Sequence, residues 1–256
     1  MQMIGYSTGA LAYENFRRGV EMLRKRPIHA LELSALREAE LRPLLDGLGE
    51  LNLSQFSYIS FHAPSAFSPQ SEEWIVERLG EISRRGWPIV LHPDAVHNYA
   101  LWRPLGSALL VENMDRRKPS GRTVPELEHI FNVLPEACLC FDLGHARQVD
   151  TTMTTAHLIL KRFADRLRQV HLSEVNTNSK HDRLSYGAIL AYQKVAALVP
   201  KNVPVILETP VTEQEIDAEI KRATEALTTK WNERKRQMVE SASGHALTQT
   251  TLAPNR

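Results

Sequence analysis

The sequence predicts a single (β/α)8 (TIM) barrel of the α/β class, and three observations carry that prediction. Short apolar runs recur along the chain at 3–7, 30–34, 58–62, 88–92, 108–113, 138–142, 168–174 and 204–209. These runs show little polar alternation, as parallel strands buried on both faces do. Stretches with helical periodicity lie between them, and about eight such units in roughly 230 residues match the size of a closed barrel. An open doubly wound sheet is the alternative fold. It is disfavoured because no Gly-rich fingerprint follows the first strand.

The helical stretches are read from their apolar spacing. Residues 14–26 place Phe16, Val20 and Leu23 on one face, and residues 72–86 do the same with Trp74, Ile75, Leu79 and Ile82. Residues 188–199 follow the same pattern, and residues 213–238 read as a long, charged final helix. The segment 241–256 is polar and built of small residues, which predicts a disordered, flexible tail. The expected organisation is one barrel domain over 1–240 followed by that tail.

Composition narrows the function classes. Of 256 residues, 43% are hydrophobic and 24% charged, which suits a large core. The 31 basic and 30 acidic residues give a formal net charge of +1, which does not suggest a generally basic nucleic-acid binder. No apolar run is long enough for a membrane span. The opening MQMIGYSTGAL enters a strand-like run without signal-peptide character, and a cytoplasmic location is expected. Cys138 and Cys140 lie two apart on one strand, a spacing that suits core residues better than a disulfide or a zinc site.

The polar residues fall at the strand ends. The third strand ends at His62, the fourth at His92, the fifth at Glu112 and the sixth at Asp142, with His145 just beyond. The seventh carries His171, the eighth ends at Glu208, and the second carries Glu32. In a barrel these ends share the C-terminal rim, where active sites of this fold sit. Buried carboxylates packed together repel one another unless a cation compensates. A metal site is therefore expected, with two or three ions rather than one, because the ligands outnumber what one tetrahedral zinc accepts. Histidines mixed with carboxylates favour zinc, with manganese or iron as alternatives.

The polar stretch 176–188 is long enough to cover the barrel mouth. His181 and Asp182 within it are candidate further ligands, and Arg183 is a candidate contact for an anionic substrate. Arg37 and Arg147 are weaker candidates for the same role. The basic stretch 113–123 reads as a solvated loop or an anion-binding flap. His29, His97, His129 and His157 are read as structural.

The motifs HAPS, VEN, DLGH, HLSE and LETP, in this order at strand ends, resemble the xylose isomerase-like TIM barrels. Within them the pattern is most similar to the endonuclease IV type of AP endonuclease family 2, over residues 1 to about 210. The resemblance implies that His62 and His92 bind a first ion, and that Glu112 bridges it to a second completed by Asp142, His171 and Glu208. It also implies that His145 serves a third ion with two loop ligands. Two positions depart from the family pattern. His181 and Asp182 are adjacent where the family has Asp and His one residue apart, and Ser65 stands where the family has an aromatic residue.

Two enzymatic readings follow. The first is a metal-dependent hydrolase of phosphoester bonds, with Arg183 holding substrate charge. The second is a sugar or sugar-phosphate isomerase or epimerase, in which one ion is bound by Glu112, Asp142, His171 and Glu208 and the two glutamates act as acid and base. A third reading is an iron protein with oxidative or non-catalytic chemistry. The expected partner is a small anionic or sugar-like substrate, with DNA as the alternative. No oligomeric state is indicated.

Overall fold

Eight of the ten strands in the computed structural model, which describes residues 2–228, close into a parallel barrel. In chain order the strands are β1 (Ile4–Ser7), β2 (Ala30–Ser34), β3 (Tyr58–His62), β4 (Ile89–Leu91), β5 (Leu109–Glu112), β6 (Cys138–Asp142), β7 (Leu167–Leu172), β8 (Glu174–Val175), β9 (His181–Asp182) and β10 (Val205–Leu207). The barrel runs β1-β10-β7-β6-β5-β4-β3-β2, and β1 closes on β10 with Ile4 opposite Val205. The antiparallel pair β8–β9 stands apart as a hairpin.

The helices are α1 (Thr8–Ala12), α2 (Phe16–Leu23), α3 (Glu38–Gly47), α4 (Glu72–Ser83), α5 (Tyr99–Trp102), α6 (Val124–Val133), α7 (Leu143–Val149), α8 (Thr154–Arg162), α9 (Tyr186–Gln193) and α10 (Ile216–Ala226). Their apolar stripes face the sheet. Ile75, Leu79 and Ile82 of α4 are buried, as are Leu127, Ile130 and Phe131 of α6. Each such side chain contributes about 1.5–3 kcal/mol through burial.

Side chains two apart along a strand face the same way, and this alternation separates two environments. The main core lies between barrel and helices, whereas Val90, Leu110, Cys138 and Cys140 form a small separate cluster. Two residues further along the same strands stand His92, Glu112, Cys140 and Asp142. Gln169 and His171 of β7 follow the same spacing, as do Ser60 and His62 of β3. The polar side chains thus point into the barrel, and all except the partly buried His92 are buried.

Strand boundaries agree with the sequence reading to within two residues. The helix expected over 14–26 is shorter, because Asn15 caps it by accepting from Arg18 N at 3.1 Å. The helix expected over 188–199 starts earlier, where Ser185 accepts from Ala188 N, and ends in a separate 3-10 turn at Ala196–Leu198. The final helix runs from Ile216 to Ala226, and the remainder of the expected 213–238 helix from 229 onward lies outside the described residues, as does the 241–256 tail. No described helix is long and apolar enough to cross a membrane.

Candidate metal centre

Glu112 occupies the middle of the polar cluster. Its Oε2 lies 3.4 Å from His62 Nε2 and 3.3 Å from His92 Nε2. Its Oε1 lies 3.2 Å from His145 Nδ1 and 3.4 Å from His171 Nδ1. Glu112 has no exposed surface, and neither of its oxygens has a hydrogen-bond partner. Asp142 Oδ2, His171 Nδ1 and His92 Nδ1 are likewise buried without partners. Buried polar atoms are nearly always satisfied, so this set of orphaned donor atoms fits a bound cation.

Three groups of potential ligand atoms lie within 4.8 Å of one another. They are His62, His92 and Glu112; Glu112, Asp142, His171 and Glu208; and His62, His171 and Glu208. Nitrogen and carboxylate oxygen donors without thiolate suit zinc, manganese or iron.

Local structure explains how these side chains are presented. Asp142 is the N-cap of α7, and its Oδ1 accepts from His145 N at 2.6 Å. The first turn of that helix then carries His145 to the same side as Asp142. Gly144 permits this, since a Cβ there would stand 2.6 Å from Val175 Cγ2 and 2.9 Å from Ser173 O. Asn113 clasps the backbone of Asp142 from both sides, donating to its carbonyl at 2.9 Å and accepting from its N–H at 2.8 Å.

The imidazoles are oriented by outer partners. His62 Nδ1 donates to Ala63 O at 2.7 Å, which leaves Nε2 toward Glu112. His171 Nε2 lies 3.0 Å from Glu32 Oε2, which leaves Nδ1 toward Glu112 and Glu208. Glu32 also accepts from Ser60 Oγ and from Gln169 Nε2. Gln169 in turn accepts from Tyr58 and also abuts His171 Nε2 at 2.7 Å.

The charges are strongly coupled. Burial alone would depress His62, but Glu112 and Glu32 outweigh it and hold the imidazole up at about 9. His145 reaches about 10 against the same burial, through Asp142 and Glu112. His171 is also raised, whereas burial prevails at His92 and lowers it. Glu112 is held well below the usual carboxylate range, since His171 and His92 overcome its burial. Burial, with Glu112 and Asp142 nearby, pushes Glu208 up to about 7. The protons on three histidines supply positive charge that a metal would replace.

The stretch after β7 folds back as the β8–β9 hairpin and is tied down. Ser179 Oγ donates to Asp115 Oδ1 at 2.8 Å, and Gln148 Nε2 donates to Asn176 O at 2.8 Å. His181 Nδ1 lies 2.7 Å from Ser173 Oγ and 3.7 Å from Glu208 Oε2. Burial lowers His181 to about 4. Asp182, on the opposite side of β9, is exposed and accepts from Arg183 N. Among the described residues, none of the three ligand groups includes His145, His181 or Asp182.

The arginines considered from the sequence are engaged elsewhere. Arg183 pairs with Glu215, Arg147 with Glu174 at 2.7 Å, and Arg37 with Glu40 at 3.3 Å and Glu14 at 3.5 Å. None of them lines the cleft of about 450 Å³ that opens onto His62, His92, His181 and Glu208. The stretch 113–123 is not a free flap, because Lys118 pairs with Asp94 and Arg117 donates to Ser179 O. His97 is structural, its Nε2 lying 2.9 Å from Phe67 O. Asn113, Gln169 and Lys180 also border the cluster or its cleft and are not among the residues expected from the sequence. Only Asn113 carried a signal, its place directly after Glu112.

No protein-family model matches the chain, and no curated protein matches it in sequence. Solved structures do match. Endonuclease IV from Thermus thermophilus is 18% identical with a TM-score of 0.57, over 88% of this chain and 98% of that one. The 3-keto-D-glucoside 4-epimerase YcjR from E. coli is 14% identical with a TM-score of 0.52, over 88% and 99%. A xylose isomerase domain protein from Alicyclobacillus acidocaldarius is 11% identical with a TM-score of 0.59, over 88% and 98%. The chain therefore shares the fold of the xylose isomerase-like TIM barrels, a scaffold common to endonuclease IV and to sugar epimerases.

Proposed function

We propose that the chain is a divalent-metal-dependent hydrolase of phosphoester bonds with a two-ion site, acting on a small anionic substrate. The observation that carries this reading is the two-sided placement of Glu112. One oxygen faces His62 and His92 while the other faces His145 and His171, and both lack partners. A carboxylate so placed is suited to bridge two cations.

His62 and His92 with Glu112 would hold one ion, and Asp142, His171 and Glu208 with Glu112 the other. Zinc fits this donor set best, with manganese or iron as the alternatives. A pair of such ions supplies water activation near neutral pH and stabilises charge on the attacking and leaving oxygens. The protein's own residues orient the donors. Ala63 O and Glu32 fix the tautomers of His62 and His171, and Asn113 holds the backbone of Asp142. His181 stays neutral and partly covers the site beside Glu208.

A small substrate is favoured over DNA. The cleft is about 450 Å³, the net charge is +1, and Lys118 and Arg122 of the basic stretch are bound to Asp94 and Glu126. The free, buried Cys138 and Cys140 accord with a cytoplasmic location.

The isomerase or epimerase reading has one observation of its own. Glu112, Asp142, His171 and Glu208 form a complete ligand group without His62 and His92. The His62→Ala/His92→Ala double variant separates the two. Under the hydrolase reading, metal content falls from two equivalents to one and phosphoester turnover is lost. Unchanged metal and turnover would sink that reading, and hydrogen exchange from heavy water into ketoses would establish the isomerase instead.

A further inference from the structure

Tyr13 and Lys180 line the cleft without any part in holding ions. Tyr13 is 68% exposed, the largest exposure among the large hydrophobic side chains described. Its backbone is left-handed, with φ 52° and ψ −125°. A residue with a Cβ is strained there, whereas glycine is not. The turn is closed by Tyr13 N–H donating to Gly9 O at 3.1 Å, a backbone bond that requires no tyrosine. Leu36 and Pro210 line the same cleft. An aromatic ring is thus kept, exposed and on a strained backbone, beside an apolar wall.

Lys180 is the one lysine or arginine that lines the cleft, and its ammonium forms no ion pair among the described residues. The three arginines that the sequence suggested for an anion are paired with acids outside it. Its neighbour Ser179, left-handed at φ 51°, is clamped by Asp115 and Gln148, so the hairpin tip that carries Lys180 is fixed over the site.

We propose that this cleft selects a small phosphoester whose alcohol portion carries a ring. Tyr13 receives the apolar face of the ring and Lys180 the charge of the phosphoryl oxygens. The proposal rests on the phosphoester reading. Aromatic rings and pyranose rings both present such a face.

The test uses the full-length, metal-loaded chain and calorimetric titration with phenylphosphonate and ethylphosphonate. Phenylphosphonate is expected to bind about tenfold more tightly. Tyr13→Ala brings that ratio near one, and Tyr13→Phe preserves it. Tyr13→Gly also abolishes the preference but raises the melting temperature, which loss of a structural tyrosine would not do. Lys180→Gln weakens both phosphonates by about two- to fivefold and leaves their ratio intact.

Turnover of phenyl phosphate against glucose 1-phosphate then tells an aromatic from a sugar ring. Equal affinity for the two phosphonates, or a preference that survives Tyr13→Ala, overturns the ring assignment. Full affinity in Lys180→Gln overturns the lysine's role. Ring-selective binding without turnover of any phosphoester would leave this assignment standing and remove the hydrolase reading. Turnover without ring preference would do the reverse.

Discussion

Glu32 Oε2 lies 3.0 Å from His171 Nε2, deep inside the barrel, and neither side chain has any exposed surface. The contact turns the other nitrogen of the ring, Nδ1, toward Glu112 Oε1 and Glu208 Oε2, each 3.4 Å away. A carboxylate behind a ligating histidine fixes its tautomer and raises its basicity. Glu32→Gln keeps the shape and removes the charge. Metal affinity is expected to fall by about 10–100-fold, as read by competition against a chelator. Unchanged affinity would show that Glu32 does not act through His171.

The stability of the metal-free protein should fall as pH rises above neutrality. His62 and His145 have folded values of about 9 and 10, above the ordinary 6.5. A group raised in this way contributes stability that is complete below 6.5 and disappears as pH climbs through its folded value. Glu208, raised to about 7, acts in the same direction between about 4.5 and 7, because its ionised form is disfavoured in the fold. The melting temperature of the metal-free chain should therefore drop between about pH 6.5 and 10. Metal needs these imidazoles deprotonated, so metal affinity should rise over the same range. A flat melting temperature across that window would contradict the coupling.

The barrel and the cluster of polar side chains at its rim were legible because both are written in short local patterns. Apolar runs marked the strands, and their polar ends placed His62, Glu112, Asp142 and His171 on one rim. What sequence could not show was where long, flexible cations go. Arg183 looked free in KHDRL, yet Glu215 lies 32 residues further on and captures it. Lys180, three residues earlier, is the one left facing the cleft. Glu32 was legible as a polar residue on the second strand. Its place behind His171, however, depends on a contact across 139 residues. Asp182 fell on the outer side of β9 because alternate residues of a strand face opposite ways.

Gly144 sets the approach of α7 to the hairpin. A methyl group there would meet Val175 Cγ2 at 2.6 Å and Ser173 O at 2.9 Å, and stand 3.2 Å from Asp142 Oδ1. Backbone cannot yield as a side chain does, so Gly144→Ala is expected to cost about 1–3 kcal/mol despite the better helix propensity of alanine. The shift would also displace Asp142 and His145. Thermal melting and metal stoichiometry should fall together. A variant as stable as the parent would show that the hairpin moves freely away from α7.

Glu72 provides the contrast, a buried carboxylate outside the candidate metal centre. Its Oε1 accepts from His97 N at 2.9 Å, Asn98 N at 3.2 Å and Trp102 Nε1 at 2.9 Å. It thereby ties α4 to the segment that follows His92. Glu72→Ala leaves the buried Trp102 indole N–H without an acceptor, at about 1–3 kcal/mol, whereas the part-buried His97 and Asn98 N–H groups can turn to water. A loss of about 1–3 kcal/mol is expected, a sizeable share of the roughly 5–15 kcal/mol typical of a domain. Trp102, fully buried beside it, should report the change as a shift in fluorescence. His92 is held separately, by β4 and by edge contact with His62 at 5.0 Å between ring centres. Metal stoichiometry should therefore survive in the folded fraction. Loss of an equivalent of metal at temperatures where the variant remains folded would mean that the 93–102 segment, and not β4 alone, positions His92.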